Sequence, residues 1–419
     1  MAIIQSNRGL VAATITVPGS KSLANRALII GGLAGHSAIS NVPDGDDCVA
    51  MVRAITALGA CIGVSGSTVS IGEAIDRERT SPLTLDAQLA GTTSRFLVGL
   101  ASVIAGPTTI SGEEALRRRP MGDLLDALTA SGAHVVSADG RLPVTISRAG
   151  MSGGNVSIPG RVSSQFISAL MMIAPYLAGG LVLNIEGDQV SASYIALTAS
   201  VMRHFGVNPT IRGSRIEIPH GSYRPANYDV APDASSASYP LALAAVRGGT
   251  VRVPRLRRAT DQGDYRIVQL LEQSGCTIAA DGEDIVLTRD PSKPLQAVNV
   301  DMRDCSDLVP TWAIVAAFST GATRISGIGF IRNKESDRIG DLASELRKLG
   351  VQITEFDDGL EIIGGDIHGG EVRTHDDHRL AMAFGVLGTV IDGVSLDDRA
   401  VVSKSWPSYW ETMGIATSS

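Results

Sequence analysis

Lysine is scarce in this 419-residue chain: only Lys21, Lys293, Lys334, Lys348 and Lys404 among 36 basic residues, set against 43 acids for a net charge of -7. No global basic field exists to draw the chain onto nucleic acid or an anionic membrane, so an anionic ligand must be met by local charge. Aromatics are also thin, at seven Phe, seven Tyr and three Trp, which leaves little for base stacking. The four cysteines, Cys48, Cys61, Cys276 and Cys305, form no CxxC pair and no cluster with histidine. Neither a zinc site nor a disulfide framework is expected, and reduced, cytoplasmic thiols are. The start, MAIIQSNRGLVAA, lacks a basic region ahead of an apolar core, and the long apolar run Ala169 to Ile185 is broken by Pro175 and Gly179-Gly180. Neither a signal peptide nor a membrane span is expected. What is plentiful, 44% hydrophobic residues and 46 glycines, describes a folded, globular chain, long enough for two or three domains.

Glycine placement is regular. Gly59, Gly132, Gly206, Gly275, Gly350 and Gly414 each follow an apolar helix-like stretch, at intervals of 64 to 75 residues. Gly35, Gly106, Gly179, Gly249, Gly321 and Gly393 stand between helix-like and strand-like segments, at intervals of 70 to 73. Two series with one period predict six copies of a unit in which an apolar helix, closed by a Gly C-cap, leads into a short alternating strand, twice over. A period near 72 exceeds that of common solenoids, so each copy should be a small α/β layer. Six copies can close as a ring, run as an open array or form two groups of three, and periodicity does not choose. The segment His220 to Ala226 is the best candidate crossing between copies three and four.

Helix starts receptive to anions recur through the copies. Val17-Pro-Gly-Ser-Lys-Ser-Leu-Ala-Asn-Arg26 leads into the apolar run Ala27 to Leu33. Gly19 and Ser20 can turn the chain and cap the helix, whose free N–H groups favour an anion together with Lys21 and Arg26. The match to a P-loop is partial, because Thr14 stands where GxxxxGKS requires glycine. The same pattern appears at Ala90 to Arg95, Leu116 to Met121 and Arg161 to Gln165. Brought toward one centre, such starts would overcome the negative net charge locally.

In the second half acids and bases alternate. Asp301 to Asp307 precedes the apolar run Trp312 to Phe318, Arg332 to Arg338 opens a helix reaching Leu349, and Thr374 to Arg379 opens another. A carboxylate beside Lys or Arg stays ionised and can act as a base, whereas partial burial lets one deliver a proton. His375 and His378 have HxxH rather than HExxH spacing, with no third ligand or nearby cysteine, and no metal is expected. Ser163, Ser164 and Ser238 sit in no GxSxG elbow.

Ten segments, in order and over almost the whole chain, resemble the 5-enolpyruvylshikimate-3-phosphate (EPSP) synthase family of enolpyruvyl transferases. They are PGSKSLANRAL (18–28), AGTTSRF (90–96), LRRRPM (116–121), VSSQFISALMM (162–172), VSASY (190–194), PDASSASYPLA (232–242), QGD (262–264), KESDRI (334–339), DDHRLAMAF (376–384) and SKSWPSYW (403–410). The resemblance implies an α/β fold of six βαβαββ repeats, three in each of two domains, with the active site in the cleft between them. It implies a discontinuous domain of residues 1–18 plus 229–419 and an inserted domain of residues 19–228. The implied reaction moves the enolpyruvyl group of phosphoenolpyruvate to the 5-hydroxyl of shikimate 3-phosphate and releases phosphate through a tetrahedral intermediate. This is a transferase step of the shikimate pathway, on the route to chorismate and the aromatic amino acids. The resemblance further implies a cytoplasmic monomer that uses no cofactor and whose partners are the two small molecules, with no nucleic acid and no membrane.

By matched motif, Asp307 resembles the base at the substrate hydroxyl, Glu335 a proton donor or relay at the methylene carbon, and Lys21 a charge stabiliser and proton-transfer partner. Lys21, Ser22, Arg26, Ser163, Ser164, Gln165, Ser191, Tyr194, Asp307 and Lys334 resemble contacts to shikimate 3-phosphate. Lys21, Gly91, Thr92, Arg119, Gln165, Arg338, Arg379 and Lys404 resemble contacts to phosphoenolpyruvate, where guanidinium forks suit carboxylate and phosphate. Arg95 is expected to support the site. Leu89 and Phe330 stand where many members carry Asn, so each loses an amide contact, and a modified acceptor alcohol is conceivable. Gly91 leaves the phosphoenolpyruvate position uncrowded, which predicts sensitivity to glyphosate. UDP-N-acetylglucosamine enolpyruvyl transferase is the nearest competing reading, but the loop SGEEALRRRP has no Cys and Lys21 is followed by Ser22 rather than Asn. A nucleotide-dependent kinase and a non-enzymatic repeat scaffold are the readings from other classes.

Overall fold

The computed structural model describes residues 2–7, 9–161, 163–415 and 417–418. Met1, Arg8, Ala416 and Ser419 of the expected discontinuous domain, and Val162 of the VSSQ motif, lie outside the described residues. The chain divides into two compact units, Gly19–Val230 and Met1–Pro18 with Ala231–Ser419. The second crossing falls past the expected one at Tyr228. Strand Asn227–Asp229 pairs in parallel with Ser37–Ser40, so its hydrogen bonds keep Tyr228 and Asp229 with the inserted unit.

Among the described residues each unit holds three four-stranded sheets, and all six share one order. In the sheet of Leu83–Asp86, that strand runs parallel to Thr108–Ser111, which pairs antiparallel with Val144–Ser147, itself antiparallel to His134–Ser137. The other five repeat this pattern of one parallel pair followed by antiparallel pairs. Parallel neighbours need a crossover, and helix Gly91–Ala101 supplies it between Leu83–Asp86 and Thr108–Ser111. The first glycine series marks the repeat in the backbone: Gly59, Gly132, Gly206, Gly275, Gly350 and Gly414 all have positive φ, from 62° to 103°.

Three sheets are completed from distant parts of the chain. Asn227–Asp229 closes the sheet of Ser37–Ser40. Val11–Thr14 pairs with Gly249–Val253 across the whole insertion, and Ala2–Ile4 lies between Val394–Leu396 and Thr417–Ser418.

Three nearly all-buried helices pack together in each unit. In the inserted unit they are Lys21–Ala34, Gly91–Ala101 and Ser164–Ile173; in the other, Ala234–Arg247, Val309–Ala317 and His378–Gly388. Apolar residues surround these helices on every side, the pattern of a core helix, and each buried Leu, Ile or Phe contributes about 1.5–3 kcal/mol. Against that background their first turns stand out, because Arg26, Thr92, Arg95, Ser164, Ser235, Asp377 and Arg379 are polar and buried there or beside them.

Candidate active site

In the inserted unit, Gly19 is required by close approach: a Cβ would stand 1.9 Å from the carbonyl oxygen of Asn41. Ser20 then takes the N-cap position with extended backbone, but contrary to expectation its side chain makes no capping bond. Helices Lys21–Ala34, Gly91–Ala101, Ser164–Ile173 and Ala192–His204 have no acid in the first turn, leaving their positive ends uncompensated by their own side chains. Ser163 caps its helix by accepting from the Gln165 amide at 3.3 Å. Ser191, at φ 56°, precedes Ala192–His204.

Side chains tie these helix starts together. The Lys21 ammonium pairs with Asp47 at 3.0 Å. Gln165 donates to Thr92 Oγ1 at 2.9 Å and accepts from Arg95, whose guanidinium lies 5.3 Å from the Phe166 ring. Gly91 faces Arg119, since an added Cβ would lie 2.6 Å from Nη1 and 3.2 Å from Cζ. The segment Leu116 to Met121 ends the short helix Glu114–Arg117 and leads into Gly122–Ala130, with Met121 at its N-cap. Arg117 donates to Gly112 at 2.6 Å and Arg118 pairs with Glu114 at 3.5 Å on the surface, whereas Arg119 lies against Gly91.

Arg26 is only 1% exposed. It donates to Thr198 at 2.7 Å, Ser168 at 3.0 Å and the Ser22 carbonyl at 2.8 Å, with Phe96 and Tyr194 rings 5.1 and 5.8 Å from Cζ. Burial lowers its pKa to about 10 against the opposing pull of Tyr194 and Tyr228, so it stays charged at neutral pH. Arg26 thus holds the Ser22 carbonyl and packs against the Tyr194 ring.

The other unit centres on Arg338, itself 1% exposed. Its Nη1 donates to Asp307 at 2.8 Å, Nη2 to Glu335 at 2.8 Å and Nε to Asp377 at 2.7 Å. Arg379 donates to the second oxygen of Asp307 at 2.7 Å. Asp377 caps helix His378–Gly388 by accepting from the Arg379 amide at 2.8 Å and also accepts from Ser336 at 3.0 Å. The Lys404 ammonium stands 3.7 Å from Glu335. Lys334 Nζ is 5.8 Å from the ring centre of Phe330, so the residue replacing an amide offers a π-face to that cation. Leu89, the other departure, is 37% exposed.

Burial pushes the Asp307 carboxyl up, but Arg379, Arg338 and Lys334 outweigh it and hold it well below the ordinary aspartate range. Burial would discharge Arg338, but Asp377, Glu335 and Asp307 raise it far above its usual value. The result is a carboxylate kept ionised and aimed by two guanidiniums.

Asp264 behaves oppositely. It is 3% exposed, accepts from the Ser235 hydroxyl, and leaves its other oxygen without a hydrogen-bond partner among the described residues. Burial first, and Asp307 second, push it up to about 7, against Arg379 and Ser235. Its ordinary value is 3.8, so between these two values the folded protein keeps a proton that the unfolded chain has lost. The stability this group supports is whole in acid, falls as pH climbs to its folded pKa, and stays low above it. Asp264→Asn, which still accepts from Ser235, should therefore stabilise the protein on the order of a few kcal/mol near pH 8, with the gain gone near pH 4. Urea unfolding at both values checks this; an equal difference at both would defeat it.

The structure brings Lys21, Ser22, Gly91, Thr92, Arg119, Ser163, Ser164, Gln165, Ser191 and Tyr194 to helix starts or linking turns of the inserted unit. It joins Asp307, Glu335, Arg338, Arg379 and Lys404 in one ionic network of the other, with Lys334 acting on Asp307 through its charge. Sequence reasoning missed Asp47, Asp264 and Asp377 as partners. A signal existed for each: Asp47 ends an acidic run in the first turn of helix Asp46–Ala57, and the other two lie inside the QGD and DDHR motifs.

The EPSP synthase (3-phosphoshikimate 1-carboxyvinyltransferase) family model matches residues 6–413. The 3-phosphoshikimate 1-carboxyvinyltransferase of Nostoc punctiforme is 40% identical over 410 residues, covering 96% of this chain and 95% of that protein. The protein of the same name from Methanospirillum hungatei is 36% identical over 413 residues, covering 97% and 96%. A solved EPSP synthase structure from Acinetobacter baumannii has a TM-score of 0.81 and 24% identity, covering 100% of this chain and 99% of that one, a likeness of fold. A family match and relatives that run nearly end to end show that the chain belongs to the EPSP synthase family.

Proposed function

We propose that this chain transfers the enolpyruvyl group of phosphoenolpyruvate to the 5-hydroxyl of shikimate 3-phosphate, releasing phosphate, in the shikimate pathway that leads to the aromatic amino acids. One observation carries the reading beyond family membership: Asp307 is a carboxylate held ionised between Arg338 and Arg379, with Glu335 and Lys404 in the same network.

The addition step needs a proton on the methylene carbon while the hydroxyl gives one up; elimination takes the methyl proton back as phosphate leaves. Asp307 fits the hydroxyl side, since it is kept as an acceptor. Glu335 suits the carbon side as a relay, because it pairs with Arg338 at 2.8 Å and stands 3.7 Å from the Lys404 ammonium. Lys21, aimed by Asp47, is a point charge for the anions. Arg119, Arg338 and Arg379 would meet the carboxylate and phosphate of phosphoenolpyruvate; Ser163, Ser164, Gln165, Ser191, Tyr194 and Lys334 would meet the phosphorylated acceptor. The reading assigns both ionic clusters to one turnover by a cytoplasmic monomer; among the described residues no helix is long and apolar enough to cross a membrane.

Phosphate release from phosphoenolpyruvate should require shikimate 3-phosphate and should not occur with UDP-N-acetylglucosamine. Turnover with the sugar nucleotide, or ATP consumption, would overturn the assignment. Gly91→Ala tests the local geometry. Its methyl group would displace the Arg119 guanidinium, the mobile end of a flexible side chain, so KM for phosphoenolpyruvate should rise about tenfold with little change in the acceptor KM. The unsubstituted enzyme should be inhibited by glyphosate and the variant less so; unchanged turnover of the unsubstituted enzyme at high inhibitor would refute this.

A further inference from the structure

We propose that His375 is a positioning residue for phosphoenolpyruvate binding: bonded to buried Glu345, it locks the turn that presents Asp377 to Arg338 and Arg379. The inference rests on the enolpyruvyl-transfer reading above.

His375 Nε2 stands 2.8 Å from Glu345 Oε1, and Nδ1 lies 3.5 Å from Asp341 Oδ1. Both acids belong to helix Gly340–Lys348, which begins just past Arg338. The Glu345 side chain is 1% exposed and both oxygens are engaged: Lys348 donates to each at 2.8 Å and the Arg373 amide to Oε2 at 3.1 Å. Burial pushes Glu345 up, but Lys348, His375 and the Arg373 amide more than offset this and hold it below its ordinary value. A carboxylate only accepts, so His375 Nε2 carries the proton and donates it.

Two chain segments are thereby clamped twice, by His375 to Glu345 and by Asp377 to Arg338. Between the clamps the backbone is strained. His375 and Asp376 have φ of 52° and 56°, a left-handed conformation that either tolerates singly but that two successive side-chain-bearing residues keep only when their surroundings hold them. On one side Asp397 fixes Thr374, accepting from its amide at 2.8 Å and its hydroxyl at 2.9 Å. On the other, the Asp377 amide donates to the Thr374 carbonyl at 2.9 Å. Loss of the imidazole would let the left-handed pair relax and turn Asp377 away from Arg338 Nε and the Arg379 amide. The guanidinium forks proposed to hold phosphoenolpyruvate would lose their aim, while the acceptor-binding residues of the inserted unit would not be touched. Of the HxxH pair, His375 thus acts through Glu345.

The test is steady-state phosphate release by His375→Ala and His375→Gln, each substrate varied in turn, with Glu345→Gln alone and combined with His375→Ala. His375→Ala should raise KM for phosphoenolpyruvate about tenfold while leaving the shikimate 3-phosphate KM within about twofold. His375→Gln, whose amide can still donate to Glu345, should recover most of the loss. The double variant should be no worse than the poorer single one, because both break the same contact. A parental phosphoenolpyruvate KM in the alanine variant, equal rises for both substrates, or no recovery by glutamine would each overturn the proposal. Failure of the parent enzyme to release phosphate overturns it together with the functional reading; parental turnover with unmoved variants overturns it alone.

Discussion

Asp307→Ala should lower phosphate release about a thousandfold or more, within the range that a positioned general base supplies. The carboxylate accepts from the guanidiniums of both Arg338 and Arg379, at 2.8 and 2.7 Å, and its two oxygens are divided between them. Deleting it removes the proton acceptor and one anchor of each guanidinium. Asp307→Asn keeps the shape and one accepting oxygen but cannot take a proton; it should lose turnover nearly as severely while phosphoenolpyruvate binding weakens less. The fold should survive in both, since Arg338 retains Glu335 and Asp377. Near-normal turnover with native circular dichroism would remove Asp307 from the mechanism.

Arg338→Met should be the most damaging single change to stability. The guanidinium is bonded to three carboxylates, Asp307, Glu335 and Asp377, and Asp377 is fully buried. Removing one partner of a buried ionic network leaves charge uncompensated, typically at about 3–5 kcal/mol. Denaturant unfolding at neutral pH reads this directly. The same variant should change the acid limb of the pH–rate profile. In the parent enzyme Asp307 is held low, so its anion, and the stability and activity that need it, persist until pH falls through that depressed value. Without Arg338 the burial that opposes ionisation is met by Arg379 and Lys334 with less opposing charge, so activity should fail at a higher pH. Arg338→Lys should recover only part of either loss, because one ammonium cannot reproduce a fork that reaches three acids. An acid limb unmoved in Arg338→Met would show that Asp307 is tuned by something else.

Much of the architecture was legible before any coordinates. The glycine series at Gly59, Gly132, Gly206, Gly275, Gly350 and Gly414 announced the repeat because positive φ after a helix is a local requirement that glycine meets at least cost. Helix starts at Lys21, Gly91, Ser164 and His378 were legible for the same reason: an apolar run preceded by small or polar residues is a short-range pattern. The crossing near Tyr228 was placed early, because pairing of Asn227–Asp229 with Ser37–Ser40 spans nearly two hundred residues and leaves no mark in local composition. The Ser20 cap was misplaced for a related reason: its residue type permits the bond, but the side chain makes none, and the close approach of the Asn41 carbonyl to Gly19 leaves no mark in local sequence.

The chain's own letters determined its six-part α/β plan, its family and the residue types able to handle two anions, because periodicity, helix capping and motif identity are written along the backbone. Folding alone decided which charges act together. It buried Arg26 behind Ser22, set Arg119 against Gly91, gave Arg338 three acids and split the aspartates into an ionised Asp307 and a proton-holding Asp264. The physical reason is that protonation and aim depend on what surrounds a side chain in space, and those neighbours come from segments far apart in sequence.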